Sequence, residues 1–151
     1  MPDSSASNDG RWSRWWRLSW TDRARLLGLV VLVPLVDIAL RTLGLRRTQS
    51  LLGLTHGPAA PAPCTDDVMA DAQRIAELAN IAGRHGAWQN TCLRQALAVQ
   101  WWLCRRGLPA QLRIGARRAG NQLDAHAWVE LDGVPLAQSR ELPPVLYMQG
   151  N

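Results

Sequence analysis

The sequence predicts an α+β fold, with two amphipathic helices leading into a small antiparallel sheet and an apolar helical arm ahead of both. Three observations carry this. Apolar residues recur at helical spacing over 66–83 and again over 91–105. From residue 111 onward the pattern changes to strand-like alternation interrupted by Asp132-Gly133, a hairpin turn signal. Ahead of these, residues 26–36 form an unbroken run of 11 apolar residues. A chain of 151 residues has room for one domain and one core with an appended N-terminal element.

Taken in order, residues 1–10 are rich in Ser, Asp and Asn and read as a disordered tail. Residues 11–20, RWSRWWRLSW, alternate Arg with Trp as interfacial segments do. Thr21 is placed to cap the arm helix, with Asp22 favourable in its first turn. The arm itself runs from Arg25 to Leu45, and Pro34 is expected to kink or divide it. Three readings of the arm compete, taken in this order: a helix packed on the domain or on a partner, a membrane-surface helix, and a membrane span. A span needs about 20 apolar residues, and Asp37 and Arg41 would each cost about 2.5–3.5 kcal/mol in hydrocarbon.

Residues 46–63 end in the Pro/Ala-rich THGPAAPAP, a semi-rigid linker. Thr65 caps the next helix, with Asp66 and Asp67 in its first turn and Val68, Ala72, Ile75, Ala76 and Ala79 on one face. Gly83 and Gly86 are expected to end it. Leu93, Ala96, Leu97, Gln100, Trp101 and Cys104 mark the second helix, which exits through Arg105-Arg106 and a C-terminal Gly107. Strands follow at 111–116, 125–131 and 134–137, with Arg117–Asp124 as a polar hairpin loop. The organisation is therefore a tail (1–10), an Arg/Trp segment with arm and linker (11–63), and a catalytic-type domain (64–151).

Composition excludes several classes. Hydrophobic residues make up 47% of the chain, too many for a disordered protein. The net charge is +5, and all 17 basic residues are arginines spread along the chain. Such a balance suits an anionic partner, but no zinc-finger spacing, RNP motif or recognition helix supports nucleic acid. Three cysteines (Cys64, Cys92, Cys104) without a CxxC pair read as a reduced, cytoplasmic chain with no disulfide framework. His56, His85 and His126 lie too far apart in sequence to suggest a metal site, and no motif calls for a cofactor.

The chemistry centres on Cys92, at the start of the second helix. A helix N-terminus favours thiolate over thiol, and its free N–H groups can hold a developing oxyanion. His126 lies 34 residues on, at the head of a strand, where a sheet packed on that helix would bring its imidazole to the cysteine. On residue type alone, a cysteine in such a place is more often a small buried hydrophobe, and a lone strand histidine more often structural. Trp128 reads as core, Cys104 as buried and inert, and Cys64 as an exposed thiol in the linker.

The run NTCLRQALAVQWWLCRRGLPAQLRIGARR, followed by DAHAWVELDGVPL, resembles the transglutaminase-like (papain-like) peptidase domain of lasso-peptide maturation B proteins. LSWTDRARLL and the apolar helix after it resemble the same family, so the similarity spans roughly residues 16–138. The resemblance implies a cysteine peptidase that removes the leader from a ribosomally made lasso-type precursor, with Cys92 as nucleophile and His126 as base. The family completes its triad with an acid about a dozen residues after the histidine. Here Gln138 stands 12 residues past His126, and an amide can orient the ring but cannot stabilise imidazolium by charge. Asp132 is the second candidate for that role. Gln89 or Asn90 is placed to donate to the oxyanion.

The resemblance also implies partners: the precursor peptide, a lasso cyclase and a separate leader-binding protein (the RiPP recognition element), for which residues 1–60 show no strand-rich pattern. Residues 11–45 are candidates for docking these partners or for peripheral membrane contact. The departure at Gln138 supports a rival reading, a catalytically weak or inactive scaffold of the same fold. Acyl transfer in place of hydrolysis is a further alternative, since the same dyad serves both.

Overall fold

The computed structural model describes residues 19–54, 63–85, 92–119 and 122–137. Helix α1 spans Trp20–Leu51, α2 spans Asp66–His85 and α3 spans Cys92–Cys104. Strands β1 (Ala110–Ala119), β2 (Gln122–Leu131) and β3 (Val134–Pro135) form one antiparallel sheet in the order β1-β2-β3. Helix α3 lies between the other layers. It packs on β1 and β2, and on α1 and α2, which also pack on each other.

The arm is helical, with one face in the core. Its N-cap is Ser19, whose Oγ accepts from the Asp22 amide at 3.1 Å, and not Thr21, which lies inside the first turn. Asp22 does occupy the first turn. Pro34 does not divide the helix, which stays helical in φ/ψ through it, and the departure from helical φ/ψ falls at Gly44, whose φ of 74° is left-handed. Leu29 and Val36, on either side of the proline, are buried, and their packing holds the helix through the missing N–H. Gly28 allows a close approach: a Cβ there would stand 2.8 Å from the Trp102 ring of α3.

Polar contacts fix the arm at two heights. Near its start, Arg74 of α2 donates to Asp22 at 3.1–3.2 Å, and Arg25 reaches Asp71 of α2 at 2.6 Å. Arg106, just past α3, meets the same Asp71 at 2.6 Å. Burial alone would raise the Asp71 pKa, but its hydrogen bonds from Arg106 and Arg25 outweigh that and leave it below the ordinary 3.8. Farther along, buried Asp37 pairs with Arg94 of α3 at 2.7 Å and with Arg41 at 2.9 Å.

The core gathers Leu26 and Leu29 of α1, Ile75 and Leu78 of α2, and Val99 and Leu103 of α3. The sheet adds Ala127, Val129 and Leu131, alternate residues of β2. Helix α2 begins with Val68 N–H bonded to Thr65 Oγ1 at 3.4 Å, as a capping threonine does. It does not stop at Gly83, which is buried inside the helix, but runs on to His85. Helix α3 does exit through Gly107 at φ 77°, with Leu108 N–H returning to Leu103 O at 3.1 Å.

The hairpin ladder is longer than the alternation indicates. Arg117 pairs with Asp124 and Ala119 with Gln122, so most of the expected Arg117–Asp124 loop is strand. Asp132 and Gly133 at φ 52° and 77° make a type I′ turn into β3, which is two residues long in place of the expected four.

Candidate active site

Cys92 is the first residue of α3, and its half-buried side chain turns toward β2. The backbone N–H of Ala127 donates to Cys92 Sγ at 3.4 Å. Ala127 is the neighbour of His126 in the strand, so this contact registers the helix N-terminus against the histidine. Both side chains line one pocket of about 140 Å³. Its apolar wall comes from Ala76 and Ala79 of α2, Ala96 and Val99 of α3, and Leu136. Asn80 and Gln95 are its other polar lining, and none of its described lining residues is acidic or an arginine.

The imidazole is backed by an aromatic face. His126 and Trp128 share one face of β2, and their rings stack at 6.0 Å and 17°. Trp128 is buried, as expected of core, and it also lines the pocket. Its Nε1 donates to Glu130 Oε1 at 3.0 Å, while Glu130 Oε2 accepts from Arg113 of β1 at 2.9 Å. Trp128 is thereby held in place, and both Glu130 oxygens are engaged.

The remaining candidates fall elsewhere. Asp132 is exposed in the turn, six residues past His126 along the strand, which is about 20 Å away at strand rise. It is not brought to the site. Gln89, Asn90 and Gln138 lie outside the described residues. The chain up to Ala137 is described, however, and both Leu136 and Ala137 line the pocket.

Side-chain amides of α2 hold that segment. Gln73 accepts from Ala137 N–H at 2.6 Å and donates to Pro135 O at 3.2 Å. Asn80 donates to Ala137 O at 3.4 Å. Ala137 is in the left-handed region at φ 48°, and the three bonds over-determine it. Sequence reasoning did not single out Gln73 or Asn80. The available signal was two amides seven residues apart, two turns along α2, beside its alanine face.

The other thiols are placed differently from expectation. Cys64 is half-buried against the core, not exposed. Cys104 is half-buried, 3.6 Å from Ala110 O, and burial pushes its thiol pKa up. Among the described residues, no three His, Cys, Asp or Glu side chains come together as a metal site requires.

A helix opening on a cysteine, laid against the histidine-bearing strand of an antiparallel sheet, defines an α+β protein of papain-like fold. The chain belongs to the transglutaminase-like superfamily, whose family model matches residues 32–145. That superfamily includes cysteine-dependent enzymes and cysteine peptidases. No curated protein and no solved structure matches the chain.

Proposed function

We propose that the protein is a cytoplasmic cysteine peptidase that removes the leader from a ribosomally made lasso-type precursor peptide, with Cys92 as nucleophile and His126 as base. The observation that supports this reading is the Ala127 N–H contact to Cys92 Sγ, made by the strand residue next to His126, with Cys92 and His126 lining one pocket. The described lining of the pocket carries no acid and no arginine, which suits an uncharged stretch of peptide.

In this mechanism His126 takes the Cys92 proton, and the thiolate sulfur attacks the scissile carbonyl carbon. The carbonyl oxygen gains the charge and is held by first-turn N–H groups of α3, assisted by Gln89. Collapse breaks the C–N bond as imidazolium gives its proton to the leaving amine. Water, deprotonated by His126, then cleaves the thioester and frees the leader carboxylate. The liberated core amine is the substrate for a partner lasso cyclase, and a separate leader-binding protein presents the precursor. Gln138, next to the pinned Ala137, is the group we assign to orient the imidazole.

A second reading rests on the residue at 138. A neutral amide there suits a weak or inactive scaffold in a peptide-maturation complex, and it leaves acyl transfer open as well. One experiment separates these. The purified chain is mixed with its precursor and leader-binding partner, and products are weighed by mass spectrometry beside Cys92→Ala and His126→Ala. Leader release by the parent alone supports hydrolysis. Intact precursor in every sample, with binding retained, overturns the peptidase reading. With a primary amine added to the mixture, a leader heavier than the hydrolysed leader by that amine less water, or a precursor heavier by the amine less ammonia, indicates transfer.

A further inference from the structure

The arm has two apolar faces, and only one is covered. Leu26, Leu29 and Val36 pack inward, while Leu27, Val30, Val31, Leu35 and Ile38 are each 48–62% exposed. At about 100° per residue these five fall within an arc of about 140°, a continuous stripe on the side away from α2 and α3. Single exposed apolar residues need no explanation, but five on one helical face do.

The charge of the chain is distributed to match. Arginines run the whole length, but the acids do not. Residues 11–51 hold eight arginines and two aspartates, a net +6, while the rest of the chain holds nine arginines and ten acids. Both aspartates of that segment, Asp22 and Asp37, face inward and are ion-paired. Of the described residues of the segment, no acid faces outward. At one end of the stripe stands exposed Trp20, and the sequence before it carries Trp12, Trp15 and Trp16 among Arg11, Arg14 and Arg17. At the other end Arg46 and Arg47 are exposed.

We infer that the outer face of α1 docks on an anionic lipid surface, lying in the plane of the headgroups. An apolar stripe with Trp and Arg at its ends and no outward acid is what an interfacial helix requires. The same features weigh against the other occupants. A second copy would set arginine ends against one another with no outward acid on either helix to pair with them. A span would need the inner face stripped from α2 and α3, and Asp22 and Asp37 torn from Arg74 and Arg94.

The test is co-sedimentation of the full-length protein with vesicles of phosphatidylcholine, with and without phosphatidylglycerol. Binding is expected to the mixed vesicles, weakening as salt is raised, with little to phosphatidylcholine alone. The combined Val31→Ser and Leu35→Ser variant is expected to lower partition about tenfold or more, with melting temperature unchanged because both side chains are already exposed. Arg46→Ser with Arg47→Ser should weaken only the phosphatidylglycerol-dependent part. No partition to the mixed vesicles overturns the inference. So does equal partition of the Val31/Leu35 variant, which would mean arginine attraction alone. A soluble dimer that fails to sediment with vesicles, and that this variant dissociates, would give the face to a second copy.

Discussion

Asp37→Ala should cost the fold about 3 kcal/mol. Asp37 is 1% exposed and is shared between two arginines of unequal worth. The Arg41 side chain is 61% exposed, so its pair with Asp37 contributes about 0.3–0.5 kcal/mol, as other solvent-facing pairs one helical turn apart do. The Arg94 side chain is only 12% exposed, and its guanidinium meets the carboxylate at 2.7 Å. Removing one member of such a pair costs about 3–5 kcal/mol, because the other charge stays behind in a dry place. The remaining 12% exposure of Arg94 lets solvent reach the orphaned charge, which puts the loss at the low end of that range.

For a chain of this size, about 3 kcal/mol lowers the melting temperature by roughly 6–12 °C, measurable by circular dichroism in parallel thermal and urea scans. The pair has a second signature. Replacing both members with apolar residues, Asp37→Leu with Arg94→Met, should recover most of the loss, since the cost lies in the orphaned charge and not in the missing attraction. A loss below about 1 kcal/mol for Asp37→Ala, or a double variant no better than the single one, would refute the reasoning.

Two further outcomes follow from the packing of the helices. Gly28→Ala should gain about 1 kcal/mol in helix propensity but lose about 1–3 kcal/mol to the Trp102 ring 2.8 Å from the new methyl, so urea unfolding should show net destabilisation; a stabilised variant would mean that the ring moves freely. Asp71, held below the ordinary 3.8, contributes stability that is present above that value and is lost as pH falls through its lower folded value. The melting-temperature gap between parent and Asp71→Asn should therefore close on acidification below 3.8, and a gap that persists in acid would contradict the pairing with Arg25 and Arg106.

Much of this architecture is readable from local patterns because local forces set it. The helical spacing of α2 and α3, the Gly107 exit and the Asp132-Gly133 turn each depend on a few neighbouring residues. The departures arise where local signals compete or where distant contacts decide. Ser19 and Thr21 are both good caps, their hydroxyls sit 3.1 Å apart, and only the geometry selects Ser19. Pro34 is a strong local breaker, yet packing of Leu29 and Val36 on either side outweighs one missing hydrogen bond. Gly44 looks innocuous in sequence and takes the break, because a left-handed φ costs glycine little. The Gln73 and Asn80 clamp on Ala137 joins residues 64 and 57 positions apart, which no local pattern encodes. The start of α3 at Cys92 is a local feature, whereas His126, expected at the head of its strand, lies in the middle of the longer β2, and α3 packing on β2 puts both residues in the lining of one pocket.

The two faces of α1 govern how its role must be tested. Deleting residues 1–45 would remove Leu26, Leu29 and Val36 from the core, each worth about 1.5–3 kcal/mol as an upper bound. It would also strip Asp37 from Arg94, two residues past Cys92 on the same helix. What would remain to hold that helix is its packing through Val99 and Leu103, the Ala127 amide at Cys92 and Gln100 donating to Ala110 O at 3.3 Å. A truncated chain that no longer bound or cleaved its substrate would therefore report lost stability and a loosened Cys92 as readily as lost docking. Substitutions confined to Val31 and Leu35 leave the inner face, both aspartates and α3 intact. An effect of those changes on membrane partition, at unchanged melting temperature, is attributable to the outer face alone.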